Sequence, residues 1–156
     1  MGASGGAAAA RHSARVVLVN PAKTGRDRDM PITFEIDPNR RVLYTLVSGV
    51  VTYEELVRHL EEEERANGLG LPEVIDGRGA TTDLTTRQVE SLVRITDTLA
   101  RKGRLGALAI VTDDDLAFGM ARMYQLLTDG LPVRIGVFRE LREATAWLRA
   151  APPETH

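Results

Sequence analysis

The sequence is organised around a strand that ends in an acid and leads, through a glycine-rich turn and several hydroxyl residues, into a helix. Residues 74–86 read VIDGRGATTDLTT, and an amphipathic segment that ends near Lys102 follows. In α/β proteins, ligands and modifications commonly lie where the carboxyl end of a strand meets the N-terminus of a helix. This stretch, called the junction below, therefore predicts an α/β fold and the position of a candidate site.

Before the junction, the sequence predicts a β-hairpin and a helix. Apolar and polar residues alternate over residues 32–37, and a second strand follows over residues 42–48. A capping box of Thr52 and Glu55 opens a helix, which we expect to end at Asn67. Four apolar side chains of this helix are predicted to face the core: Tyr53, Leu56, Val57 and Leu60.

After the junction, helices and strands continue to alternate. Thr85 and Gln88 form a second capping box, and the helix that they open ends at Gly103. The continuously apolar residues 105–112 are typical of a central strand covered on both faces. A third helix follows, whose interior Gly119 suggests close backbone packing. With a last strand and a closing helix, the order is β-β-α-β-α-β-α-β-α, which predicts a mixed, mostly parallel sheet with flanking helices.

The composition of the chain suggests a single folded domain with two tails. We expect residues 30–150 to form the domain, residues 1–29 to be a flexible N-terminal extension and residues 151–156 to be a C-terminal tail. Residues 1–14 are rich in glycine and alanine and are expected to be disordered. Residues 15–20 have the composition of a strand, but Pro21 and a polar stretch separate them from the domain.

The same composition argues against a membrane or nucleic-acid protein. No apolar run approaches the roughly 20 residues of a membrane-spanning helix, and the start of the chain does not resemble a secretion signal. We therefore expect a cytoplasmic protein without stable membrane insertion. The first 31 residues hold five basic and two acidic residues, but no dense basic run with interleaved aromatic residues. Binding to nucleic acid is therefore not expected.

No motif in the sequence predicts catalysis, a metal site or a cofactor. There is no cysteine, no P-loop and no complete catalytic set, so we expect a protein that is not an enzyme. The four glutamates at 61–64 point around their helix rather than to one centre, which indicates a solvated face. The three aspartates at 113–115 suit a helix N-terminus better than a magnesium site. His59 is expected at the surface or at the boundary of the core.

Three segments, VIDGRG, AIVTDDDLAFGMARMYQLL and VRIGVFRELREATAWL, resemble the STAS domain family of anti-sigma-factor antagonists, whose fold is called SpoIIAA-like. More specifically, they resemble the bacterial branch grouped as STAS/SEC14-like, over residues 30–150. The resemblance implies a non-enzymatic regulatory domain that binds a protein partner; a homodimer is left open. In regulatory members, a hydroxyl residue at the start of the helix after the third strand is phosphorylated, which implies Thr85 or Thr86 here.

The chain departs from the pattern of the family at this position. The usual Asp-Ser-Ser/Thr-Gly is replaced by Asp83, Leu84, Thr85, Thr86 and Arg87, and Thr85 also has a structural role as a helix cap. Beside the candidate phosphorylation site, four residues form a candidate surface for binding an anion or a protein partner: Asp76, Arg78, Thr81 and Thr82. The alternative for Asp76 and Arg78 is that they brace the loop.

The SEC14-like side of the resemblance implies a different function, the binding of a small apolar ligand between the helices and the sheet. Methionine adapts to irregular shapes, so the methionines of the third helix suit such a pocket. The alternative is an ordinary core stripe at helical spacing. The candidate lining residues are Phe118, Met120, Met123, Leu127 and Trp147.

Overall fold

The computed structural model describes residues 31–150. The predicted extension, with its strand-like segment at 15–20, and the predicted C-terminal tail lie outside the described residues. The strands are β1 (Ile32–Asp37), β2 (Val42–Val47), β3 (Gly49–Val51), β4 (Glu73–Asp76), β5 (Ala80–Thr82), β6 (Leu108–Val111) and β7 (Ile135–Phe138). The helices are α1 (Tyr53–Arg65), α2 (Thr86–Arg101), α3 (Asp115–Leu127) and α4 (Leu141–Ala150). Within this part of the chain, no helix has the length and apolar character needed to cross a membrane.

The predicted mixed sheet is present. Five strands are joined in the order β1-β2-β4-β6-β7. β1 and β2 form the antiparallel hairpin, in which Ile32 lies opposite Val47. The remaining neighbours, from β2 to β7, are parallel. The chain therefore has the α/β fold class and the main element order that the hydrophobic pattern predicts.

A second, two-stranded parallel sheet joins β3 to β5, and the sequence pattern does not predict it. Val50 lies opposite Thr81 in this sheet, and the Thr82 hydroxyl donates to the Val51 carbonyl oxygen at 2.9 Å. Gly49 has a φ of 71°, which lets the chain turn from β2 directly into β3. Part of the junction predicted as a loop is therefore strand.

The five-stranded sheet separates two helical layers. On one face, Val74 and Val111 pack against Ala144 of α4. Because side chains alternate along a strand, Ile75 and Ile110 point to the opposite face, where side chains of α1, α2 and α3 meet them around a common cavity. The two faces thus have separate cores, and the position of a residue on one face or the other decides what it can contact.

The predicted helix ends are confirmed at the level of single hydrogen bonds. The Thr52 hydroxyl accepts from the Glu55 N–H at 3.2 Å, and the Glu55 carboxylate accepts from the Thr52 N–H at 3.1 Å. Thr85 and Gln88 repeat this reciprocal arrangement at the start of α2. Gly103, just beyond α2, has the left-handed φ of 68° typical of a helix C-terminus. These local signals place both helices correctly.

Gly119 in α3 does not have the close packing that the sequence suggests. It is exposed, and no heavy atom lies within 4 Å of the position that its Cβ would occupy. Gly106 is different, because the same position lies 2.5 Å from the backbone oxygen of Leu71. Close packing therefore does not explain why a glycine occupies position 119 in the interior of α3.

Replacing Gly119 should stabilise the protein. Alanine at this open helical position loses less backbone entropy on folding, so Gly119→Ala should raise the free energy of unfolding by about 0.4–1 kcal/mol. The matched control, Gly106→Ala, should destabilise the protein because its Cβ collides with backbone. Urea unfolding of the three proteins compares them; a lower stability for Gly119→Ala would show that the glycine has a structural role.

Candidate functional site

Two charged residues of the junction, Asp76 and Arg78, form an ion pair with each other. Arg78 donates from Nε and Nη2 to the two carboxylate oxygens of Asp76, at 2.9 and 2.8 Å. The hydrogen bonds and charge of Arg78 hold the pKa of Asp76 below its usual value. The pair is thus a charge-neutral brace at the end of β4. This geometry matches the bracing alternative and leaves no uncompensated cation at this position for an anion.

The three consecutive aspartates bind four different groups. Asp114 is the N-cap of α3 and accepts from the Ala117 N–H and from the Thr81 hydroxyl, both at 2.9 Å. Asp113 accepts from the Gly79 N–H at 3.0 Å, and Asp115 pairs with Arg139 at 3.0 Å. The predicted capping role is therefore confirmed for Asp114. The neighbouring contacts attach the junction to the start of α3.

The four threonines of the junction do not form one hydroxyl cluster. Thr81 donates to Asp114, and the buried Thr82 donates to Val51. The Thr85 hydroxyl caps α2, accepting from the Gln88 N–H at 3.1 Å. Thr86 is exposed, and its side chain has no hydrogen bond within residues 31–150. Of the two candidate phosphorylation sites, Thr86 is thus the accessible one without a capping role.

An apolar cavity of about 190 Å³ lies between the sheet and helices α1, α2 and α3. It extends from residues 77–84 of the junction to Glu73 and Leu108, the first residues of β4 and β6. Its walls are mainly aliphatic. The side chains that define them best are Leu56 and Leu60 of α1, Val89 and Leu92 of α2, Met120 and Ala121 of α3, and Ile75 and Ile110 of the sheet.

Only Met120 of the five predicted pocket residues lines this cavity. Trp147 lies on the opposite face of the sheet, with its ring 5.6 Å from that of Phe138. Phe118 stacks under the Arg139 guanidinium at 4.0 Å, Leu127 is largely exposed, and Met123 is outside the lining. The prediction was wrong for these four residues because periodicity gives the apolar stripe of a helix but not the face of the sheet that it covers.

His59, Glu63 and Glu73 form a buried polar cluster. It lies at one end of the cavity, beside the first residues of β4 and β6. His59 Nε2 is 2.9 Å from a carboxylate oxygen of Glu63 and 2.9 Å from one of Glu73. The side chains of His59 and Glu63 are 4% and 3% exposed, and that of Glu73 is 12% exposed. The Thr45 hydroxyl donates to Glu73 at 2.6 Å. Three elements, β2, β4 and α1, therefore meet at one glutamate.

The sequence prediction of a solvated acidic face and a surface or boundary histidine is thus wrong at these positions. Glu63 and His59 are the two fully buried residues of α1, whereas its predicted core residues are only partly buried. A signal was present: Leu56, His59, Leu60 and Glu63 follow the i, i+3, i+4, i+7 spacing of an inward helix face. A hydrophobic pattern does not reveal this face, because two of its four residues, His59 and Glu63, are polar.

The proximity of the three groups changes their proton affinities. Burial alone would lower the pKa of His59, but the close contacts and negative charges of Glu63 and Glu73 outweigh it and raise the pKa to about 10. Burial, together with the charge of Glu73, raises the pKa of Glu63 to about 8. Burial would raise the pKa of Glu73 as well, but His59 holds it below the usual value. Near neutral pH, the cluster therefore consists of an imidazolium, a carboxylate and a protonated carboxyl.

Comparison with known proteins bears on the fold. No protein-family model matches this chain, and no curated protein matches it. Among solved structures, it is similar to an uncharacterised protein of the DUF3478 family from Shewanella loihica, which is described as having a SpoIIAA-like fold. The identity is 20%, the match covers 75% of this chain and 91% of that one, and the TM-score is 0.48. The likeness concerns the fold alone.

The cluster should make the stability of the metal-free protein depend on pH. The folded state keeps a proton on Glu63 up to about pH 8, whereas the unfolded carboxyl loses it near 4.5. His59 keeps its proton up to about pH 10, against 6.5 when unfolded. Since the folded state binds more protons, the free energy of unfolding should fall as pH rises, by at most about 1.4 kcal/mol per pH unit for each group.

Urea unfolding between pH 5 and 9, in the presence of EDTA, measures this dependence. The glutamine of Glu63→Gln cannot titrate, so the free energy of unfolding of this variant should change little between pH 5 and about 6.5. Glu61→Gln, on the exposed side of α1, should leave the fall unchanged. If stability rises with pH over this window, Glu63 and His59 do not hold these protons.

Proposed function

We propose that this chain is a non-catalytic binding protein for a compact apolar molecule, which occupies the cavity between the sheet and helices α1, α2 and α3. The cavity carries the proposal: it has a volume of about 190 Å³ and mainly aliphatic walls. An apolar cavity of about 150 Å³ is sufficient to bind benzene in a protein interior. The space therefore suits a ligand of one or two fused rings, or a short acyl chain, rather than a two-chain phospholipid.

The polar groups in the wall limit the ligand further. Thr96 and Tyr124 bind each other through their hydroxyls at 2.6 Å, and burial raises the pKa of Tyr124 to about 12, so its hydroxyl stays protonated. The other ionisable groups in the lining are His59 and Glu73, and they are paired with each other. A mostly apolar ligand avoids the cost of burying unmatched polar atoms against these walls.

Filling the cavity should abolish ligand binding without unfolding the protein. Ala121 lines the cavity, so Ala121→Phe places an aromatic ring in the space that the ligand would occupy. Ala146→Phe, at an exposed position of α4, is the matched control. In ligand-observed NMR with indole and naphthalene, wild type and Ala146→Phe should bind and Ala121→Phe should bind at least tenfold more weakly.

Two results would contradict the ligand proposal. One is the absence of saturable binding by wild type for indole, naphthalene and octanoate. The other is equal binding by Ala121→Phe and wild type, with both proteins folded by circular dichroism. Native mass spectrometry of the freshly purified protein adds a direct observation, since a retained small mass gives the size of the natural ligand.

Regulatory protein binding is the second candidate, and a different observation favours it. Leu46, Val50 and Leu116 are 60%, 53% and 54% exposed. All three belong to the junction end of the sheet: Val50 pairs with Thr81, whose hydroxyl binds Asp114 just before Leu116. Exposed large apolar side chains at one end of a domain are typical of protein-binding surfaces. A partner that docks there would contact the start of α2.

A charge at Thr86 tests this second function. Thr86 is exposed, so Thr86→Glu should leave the fold intact and weaken partner capture at least fivefold by repulsion and desolvation. Pull-downs from the native host, quantified for each protein, compare it with wild type and with Glu61→Lys on α1. Equal recovery of the same proteins by all three would exclude this end of the sheet as the docking surface.

A further inference from the structure

The cluster of His59, Glu63 and Glu73 brings three potential metal ligands to one point inside the protein. One nitrogen or oxygen atom of each residue lies within 4.8 Å of the other two. The donors come from two elements, a histidine and a glutamate one turn apart on α1 and a glutamate at the start of β4. This convergence distinguishes Glu63 from Glu61 and Glu64, which are exposed on the same helix.

A second observation indicates that the cluster binds more than its own members. Glu63 Oε2 is buried and has no hydrogen-bond partner within the described residues, although it lies 2.9 Å from His59 Nε2. Buried carboxylate oxygens in proteins are nearly always satisfied by hydrogen bonds or by a cation. This oxygen points into the cluster, where a cation would also contact the donor atoms of His59 and Glu73.

The distances between the donors fit coordination of a small divalent ion. Bonds from zinc to nitrogen or oxygen are about 2.0–2.2 Å long, so two donors lie about 3.4 Å apart at the tetrahedral angle and about 3.0 Å apart at the right angle of an octahedral site. The two His59–glutamate distances are both 2.9 Å. Two carboxylates and a neutral imidazole carry a charge of −2, which a divalent cation balances, and this mixed nitrogen and oxygen set suits zinc and its first-row neighbours.

We propose that His59, Glu63 and Glu73 bind a divalent first-row transition-metal ion, with its remaining coordination positions directed into the apolar cavity. His59 and Glu73 line the cavity, whereas Glu63 lies behind them, so the open side of the ion faces the ligand space. The Phe34 ring and the imidazole pack in a T-shaped arrangement, with their centroids 5.4 Å apart, which restricts the orientation of the imidazole. This site goes beyond the proposed apolar-ligand function and is also contrary to the sequence expectation of no metal.

Metal titration of the full chain tests the proposal. After treatment with EDTA and dialysis, wild type should bind one equivalent of Zn²⁺ in isothermal titration calorimetry. Glu63→Gln and Glu73→Gln remove a negatively charged ligand with little change of shape, and each should weaken binding at least tenfold. Glu61→Gln, exposed on the same helix, should bind as wild type does.

A histidine-depleted protein gives a test that does not depend on the folding of the glutamate variants. The chain has three histidines, His12, His59 and His156. In the double variant His12→Gln/His156→Gln, His59 is the only histidine, so a Co²⁺-shifted imidazole proton in NMR identifies it as a ligand. We expect one such signal, exchangeable in D2O, and undiminished Zn²⁺ affinity.

The absence of stoichiometric Zn²⁺ and Co²⁺ binding to wild type would overturn the proposal and leave the cluster as a proton-sharing network. Loss of binding in the double variant would assign the metal to the tails instead. Apolar-ligand binding is measured separately, with indole on the EDTA-treated protein. The metal site and the proposed function can therefore fail independently.

Discussion

The contact on which the arrangement of this domain most depends is the burial of Glu73 against His59. Thr45 of β2 also donates to Glu73, so the second strand, the fourth strand and α1 are joined through one side chain. Removing one member of a buried ionic pair typically costs about 3–5 kcal/mol, because the other is left charged and unpaired. The position of α1 over the sheet, and with it one wall of the cavity, thus depends on this polar contact as well as on the apolar side chains Leu56 and Leu60.

The junction shows the opposite use of polar residues. Arg78 neutralises Asp76 within the junction, and Asp114, outside it, combines the cap of α3 with a contact to Thr81. Several polar groups that suggest an anion site in the sequence therefore bind other groups of the protein, and two of these contacts join the region of β5 to the start of α3. What this end of the sheet offers to a partner is exposed apolar surface and the hydroxyl of Thr86.

The structural elements that depend on short stretches of sequence could be predicted from the sequence. The hairpin, the two capping boxes and the parallel strands were predicted correctly because alternation and N-cap chemistry act over a few neighbouring residues. The three-residue strands β3 and β5 are too short to show a period and were missed. The site was predicted poorly, because the burial of Glu63 and the separation of Trp147 from Met120 depend on which face of the sheet each helix covers.

The cavity and the polar cluster are physically coupled, since His59 and Glu73 belong to both. An apolar occupant would exclude water from the open side of the cluster and lower the local dielectric, which strengthens the attraction between the histidine and the glutamates. By the same linkage, any change in the charge of the cluster alters the affinity for the occupant, and the two effects are equal in free energy. A titratable cluster in the wall of an apolar cavity would thus make the affinity for an apolar ligand depend on protons or on a metal ion, with no movement of the fold required.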